Sequence, residues 1–175
     1  MQITQLLDIN NIRQGLISSS KKRIFELIAN LIAEQTGDDP IACSEALCTR
    51  EKMGNTGINN GIAIPHAKLP QGNNPIAVFC QLENPIEYEA PDHRQVDLIF
   101  AVMIPEACCG ECASILPSLA ERLSDKNLCK QLRAASNIEE IWMAFTLSDQ
   151  QAVAKENTTP TELAENDTLV GSNPT

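Results

Sequence analysis

The sequence predicts a three-layer α/β/α domain, a mixed central sheet flanked by helices. Two stretches, PIAVFCQL (75 to 82) and VDLIFAVMIP (96 to 105), are apolar almost throughout and bounded by Pro, Gly and Asn. Short runs of that kind read as strands buried on both faces. Helical patterns lie on either side of them in the chain, and the order helices, strands, helices suggests layers with the sheet in the middle. At 175 residues the chain suits one domain, burying roughly 70% of its unfolded surface.

The first helix is KKRIFELIANLIAEQTG. Ile24, Leu27, Ile28, Leu31 and Ile32 recur at helical spacing, Ser20 caps the start and Gly37 follows the end. Asp38-Asp39-Pro40 opens a second helix with an acidic cap and a proline at its first position, where the missing N–H costs nothing. It runs through SEALCTREKM and stops at Gly54. A glycine-rich loop follows, with Ile62 to Ile64 as a short strand. Between the two apolar strands, ENPIEYEAPDHRQ is a polar connection with two prolines and room for a short edge strand. SILPSLAERLSD and NLCKQLRAA are helical, and Asn137 caps NIEEIWMAFTLS with Glu140 as its capping-box partner. Residues 1–149 form the domain. From about Gln150 the composition turns to Thr, Asn and Glu, too polar to repay the entropy of ordering, so 150–175 reads as a flexible acidic tail.

Charge and composition exclude several function classes. Thirteen basic and twenty-three acidic side chains give −10, which disfavours nucleic acid and anionic membranes. No apolar run approaches the ~20 residues of a membrane span, and the first residues do not read as a secretory signal. Cytoplasm is the expected compartment. Seven cysteines in a reducing compartment are expected as free thiols rather than a disulfide framework. Cys43, Cys48, Cys80 and Cys129 read as small core fillers. The run ACCGEC (107 to 112) differs: Cys109 and Cys112 have the spacing of a disulfide or half a metal site, with Cys108 and Glu111 alongside. No metal or other cofactor is expected, since a structural zinc needs four ligands.

The segment GNTGINNGIAIPHAKLP, residues 54 to 70, concentrates the candidate chemistry. Pro65 biases Ile64 toward extended geometry, which places His66 at a strand end. Gly54, Gly57 and Gly61 permit turns that gather main-chain N–H groups into an anion nest, with Thr56 and Asn60 adding side-chain donors. Arg50 on the second helix supplies a planar fork for phosphate oxygens. A neutral imidazole beside such a nest can accept a phosphoryl group. His93, in the polar connection, reads as a solvated loop residue.

The run LCTREKMGNTGINNGIAIPHAKL (47 to 69), continued by VFCQLENPIEYEAPDHRQVDLIFAVMIP and LAERLSDKNLCKQLRAA, resembles the phosphotransferase-system IIA proteins of the fructose and mannitol type, most of all their nitrogen-regulatory branch. The resemblance spans about residues 3 to 148. It implies a mixed sheet flanked by helices and transient phosphorylation of the histidine in G-I-A-I-P-H, here His66. The implied donor is an HPr-like phosphocarrier charged from phosphoenolpyruvate by an enzyme I. Implied regulatory targets are partners such as potassium-transport components or sensor kinases, and the family's helix-borne arginine matches Arg50. Members of the family carry a second active-site histidine where this chain has Ser114. Serine donates a hydrogen bond but carries no positive charge near neutral pH. Two alternatives therefore stay open beside phosphocarrier function: a degenerate binding module, and a metal or redox sensor built on Cys108 to Cys112.

Overall fold

The computed structural model describes residues 1–108 and 110–158. In chain order the elements are α1 (Ile3–Leu6), β1 (Leu7–Leu16), α2 (Lys21–Thr36), α3 (Pro40–Met53), β2 (Ile62–Ala63), β3 (His66–Leu69), β4 (Ile76–Ile86) and β5 (Val96–Pro105). A short 3-10 turn at Glu106–Cys108 then leads to α4 (Ile115–Leu123), α5 (Lys126–Ala134) and α6 (Ile138–Asn157).

The five strands form one sheet in the order β1-β4-β5-β2, with β3 also on β5. Only β4 and β5 are antiparallel; the pairs of β1 with β4 and of β2 and β3 with β5 are parallel, so the sheet is mixed as expected. Side chains alternate between its faces. Val78, Cys80, Ile99, Ala101 and Met103 pack under α2 and α3, whereas Phe79, Phe100 and Val102 pack under α4, α5 and α6. On the second face Phe79, Phe100 and Phe145 meet with ring centroids 5.1 to 6.0 Å apart, within the range of favourable edge-on and tilted ring contacts.

The expected caps are present. Ser20 accepts from the Arg23 amide and Asp39 from the Ile41 amide, with Pro40 opening α3. Asn137 accepts from the Glu140 amide at 2.8 Å, and the Glu140 carboxylate reaches back to the Ser136 amide at 2.9 Å.

Three features differ from expectation. The strand β1 had no apolar run to announce it: its buried Asn11 donates to Ala77 O and pairs with Gln35, filling with hydrogen bonds a place usually taken by an aliphatic side chain. The helix α6 continues to Asn157, eight residues into the stretch expected to be flexible, because QQAVAKEN carries good helix formers on an already capped helix. The rest of that stretch, from 159, lies outside the described residues. Finally, the short strand stops at Ala63, and His66 stands at the start of the next strand rather than at the end of that one. β2 and β3 pair with β5 in one continuous register, Ile62 with Leu98 and His66 with Val102, interrupted only at Ile64 and Pro65. Proline has no N–H to give, and an edge strand tolerates that loss. His66 is thus the first residue of the resumed edge strand.

Candidate functional site

The ring of His66 is held from both nitrogens. Nδ1 lies 2.9 Å from the carbonyl oxygen of Ile64. A carbonyl only accepts, so Nδ1 carries the proton. Nε2 is then the nitrogen with the lone pair, and it accepts from Arg50 Nε at 3.1 Å. The half-buried ring is therefore oriented and its tautomer fixed, while its unprotonated nitrogen faces a guanidinium. Arg50 is itself held, its Nη1 donating to Gly54 O at 2.7 Å where α3 ends.

What orients that end of α3 is a buried polar cluster. Glu51 accepts from the Thr56 amide at 3.1 Å and from the Thr56 hydroxyl. Thr56 Oγ1 also lies 2.8 Å from the Tyr88 hydroxyl, and burial pushes that phenol far above its ordinary pKa, so it stays protonated. Lys21 closes the cluster: its Nζ sits 2.7 Å from Glu51 Oε1, 3.2 Å from Tyr88 O and 3.9 Å from the Tyr88 ring centroid. Asn55 ties in as well, donating to Tyr88 O at 2.7 Å.

The glycine-rich loop takes a different shape from the expected nest. Its two limbs pair with each other: the Ile64 amide donates to Thr56 O, Gly57 bridges Ala63, and the Ile58 amide donates to Ile62 O. The tip is Asn60 and Gly61, at φ 62° and 80°. Asp92 accepts the Asn60 amide, Arg94 donates to Asn60 Oδ1, and Arg133 donates to Asn60 O. Arg133 is in turn forked onto Asp97, which raises its pKa, and the Gly61 carbonyl accepts from the Asp97 and Leu98 amides. The Arg94 amide also donates to Asp92, at 3.2 Å, and together the Asn60 and Arg94 amides hold the Asp92 carboxyl below its ordinary range.

The predicted residues therefore divide. His66 and Arg50 are in contact. Thr56 is buried with hydroxyl and amide both on Glu51, and the Gly57 amide donates to Asn55 Oδ1 at 2.7 Å. A Cβ on Gly57 would stand 2.7 Å from Ala90 Cβ, so glycine there serves close packing. Gly61 and Asn60 lie roughly 16 and 20 Å of extended chain from His66. The amides of Thr56, Gly57, Ile58 and Asn60 are all bonded within or beside the loop, so they do not converge on the ring. Ser114 is exposed at the N-terminus of α4 and its side chain makes no capping bond. Cys109 lies outside the described residues, and among those described no three His, Cys, Asp or Glu side chains are grouped to hold a metal ion. His93 is exposed in a turn.

Lys21, Glu51 and Tyr88 join the site without a local signal in the sequence. Glu51 stood beside Arg50 in TREKM, but nothing local linked it to a tyrosine 37 positions on. A cleft of about 1010 Å³ lies between α2 and α3, lined by Lys21, Phe25, Cys48 and Glu51 among others. Its lining includes neither His66 nor Arg50, so the cleft is not the setting of the ring. Among the described residues no helix is long and apolar enough to cross a membrane.

Residues 5–147 match the profile of the phosphoenolpyruvate-dependent sugar phosphotransferase system, EIIA 2. A nitrogen regulatory protein homolog of Haemophilus influenzae is 52% identical over 156 residues, covering 86% of this chain and 94% of the relative. The nitrogen regulatory protein of Escherichia coli is 42% identical over 147 residues, covering 83% and 90%. Among solved structures, the nitrogen regulatory protein IIA-Ntr of Neisseria meningitidis aligns with a TM-score of 0.77 at 31% identity, over 82% of this chain and 98% of that one. The mannitol IIA of Escherichia coli aligns at 0.67 with 18% identity, over 79% and 97%, a likeness of fold.

Proposed function

The chain belongs to the EIIA type 2 family of the phosphoenolpyruvate-dependent sugar phosphotransferase system, and we propose that it is a phosphohistidine regulatory protein of the family's nitrogen-related branch. It accepts a phosphoryl group on His66 from an HPr-like phosphocarrier. Its phosphorylation state then governs its grip on regulatory partners, of which potassium-transport components or sensor kinases are the candidates.

The observation that carries this reading is the two-sided hold on His66. In the transfer, the Nε2 lone pair attacks the phosphorus of the carrier's phosphoimidazole. The new N–P bond forms at Nε2, the carrier's N–P bond breaks, and its electron pair returns to the carrier's ring. Positive charge develops on the His66 ring as Nε2 is consumed. Its Nδ1–H bond to Ile64 O becomes charge-assisted and strengthens at that moment. Arg50 Nε, now without a lone pair to bond at Nε2, is positioned beside the incoming group to donate to its oxygens. Glu51, Thr56, Tyr88 and Lys21 act on Arg50 through the α3 end and are positioning residues.

A second reading, a binding module that keeps the fold without accepting phosphate, rests on Ser114: the family resemblance implies a second site histidine at this position, and the exposed serine carries no positive charge near neutral pH. Incubation with enzyme I, the HPr-like carrier and phosphoenolpyruvate separates the two. The proposed function requires one phosphoryl group on the wild type and none on His66→Ala. Uptake seen only after Ser114→His would identify the binding module.

A further inference from the structure

A second piece of chemistry lies outside the His66 site, where β5 hands over to α4. Cys108 closes the 3-10 turn, and the Cys112 amide donates to Cys108 O at 2.9 Å. That one-turn bond brings both side chains to the same side of the chain. Their Sγ atoms are 3.0 Å apart, with Cys112 donating to Cys108 Sγ and Cys108 donating in turn to Pro105 O at 3.4 Å. A disulfide needs an S–S separation of about 2.05 Å, so closing one takes a movement of roughly 1 Å. Gly110, Glu111 and Ala113 around the pair are exposed, and a Cβ on Gly110 would meet nothing within 4 Å. The backbone there has room to adjust.

The other described cysteines have no such partner. Cys80 is fully buried and its thiol is pushed up to about 12 by burial. Burial also raises Cys43 and Cys129, and the Cys129 thiol donates to Leu123 O. Cys48 is half-buried on α3.

We propose that Cys108 and Cys112 form a reversible dithiol–disulfide site that is oxidised by a peroxide. The thiolate of Cys112 attacks one peroxide oxygen, the O–O bond breaks, and the leaving hydroxide takes up a proton as water. Cys112 is now a sulfenic acid. Cys108 Sγ attacks the Cys112 sulfur, the S–S bond forms, the S–O bond breaks, and a second water leaves with the Cys108 proton. Two thiols lose two electrons and one hydrogen peroxide becomes two waters. The Cys108 thiol gives its proton to Pro105 O, and the neighbouring Cys112 sulfur and burial raise its pKa, so Cys108 serves as the resolving sulfur and Cys112 as the attacking one. The bridge would tie the exit of β5 to the entry of α4. It stands whether or not His66 accepts phosphate.

The test treats the full reduced chain with a small molar excess of hydrogen peroxide, blocks remaining thiols under denaturing conditions, and cleaves after glutamate. Cleavage after Glu106, Glu111 and Glu121 puts Cys108 and Cys112 on separate fragments, 107–111 and 112–121, which stay joined only through a disulfide. The expected result is joined fragments and the loss of two of the seven titratable thiols, both reversed by dithiothreitol. Cys109→Ser should still give joined fragments, whereas Cys112→Ser should not. Separate fragments in the oxidised wild type would overturn the proposal. So would fragments that are joined in the wild type but separate in Cys109→Ser, since the bridge would then belong to Cys109. Both decisive readouts use the wild type and Cys109→Ser, so they do not depend on Cys112→Ser folding.

Discussion

Arg50 Nε donates to His66 Nε2 over 3.1 Å, across sixteen positions of sequence, while the opposite ring nitrogen is tied to Ile64 O. A cation thus rests on the one nitrogen that has a lone pair to give. In the proposed transfer, the same guanidinium would turn to the phosphoryl oxygens as that lone pair is used.

Arg50→Lys should therefore be a poor replacement. Lysine has no fixed fork and cannot hold Gly54 O and the ring together. Removing one donor of this kind from a transition state slows reaction by about 100-fold or more. The initial rate of phosphoryl uptake should drop by that order in Arg50→Lys and Arg50→Ala alike, with the thermal melt of Arg50→Lys little changed.

Glu51→Gln tests the positioning cluster. Glu51 holds the Thr56 amide and hydroxyl and the Lys21 ammonium with a carboxylate. The neutral amide keeps the shape and loses the charge, costing about 2 kcal/mol by the worth of hydrogen bonds to a charged group. Denaturant unfolding should show that loss, and transfer should slow as well, because Arg50 is positioned through the same turn.

Gly57→Ala should destabilise without touching the chemistry. The added methyl would stand 2.7 Å from Ala90 Cβ and 2.8 Å from Asn55 Oδ1. Overpacking of this sort costs about 1–3 kcal/mol, and Tm should fall by several degrees. Ala90→Gly in the same chain removes the closest clash, so the double variant should recover part of the loss.

Asp149 sets an acid-side limit on stability. Burial alone would raise its carboxyl, but donors from Thr4, Arg122 and Ile3 outweigh that and hold it below the ordinary value of 3.8. A group whose folded pKa is depressed stabilises the fold fully above its unfolded pKa and loses that contribution as pH falls through the folded one. The wild type should thus lose stability steadily below about pH 4. Asp149→Asn should melt several degrees lower at pH 7, where the ion pair with Arg122 is lost, and its melting temperature should depend less on pH in the acid range.

Much of the fold could be read from local signals. Ser20, Asp39 with Pro40, and Asn137 with Glu140 each cap the helix they announced, because a cap acts on amides only two or three residues away. β4 and β5 declared themselves by runs that are apolar almost throughout. β1 did not, since Asn11 belongs in the core only once Ala77 O and Gln35 are brought to it from elsewhere. The site was legible to the same extent. His66 and Arg50 stood out as residue types, but the shape of the loop depended on Asp92, Arg94, Asp97 and Arg133, from 32 to 73 positions away. Those partners claim the tip at Asn60 and Gly61, so the glycines that suggested a nest around the ring instead form a clamped hairpin directed elsewhere. The cation in contact with the ring is a side chain, Arg50.

The most direct test is nitrogen NMR of the histidine rings before and after incubation with phosphoenolpyruvate, enzyme I and the HPr-like carrier. His66 alone should change, with the phosphoryl group on Nε2 and Nδ1 still protonated against Ile64 O. A phosphoryl group on Nδ1, on His93 or on neither ring would contradict it.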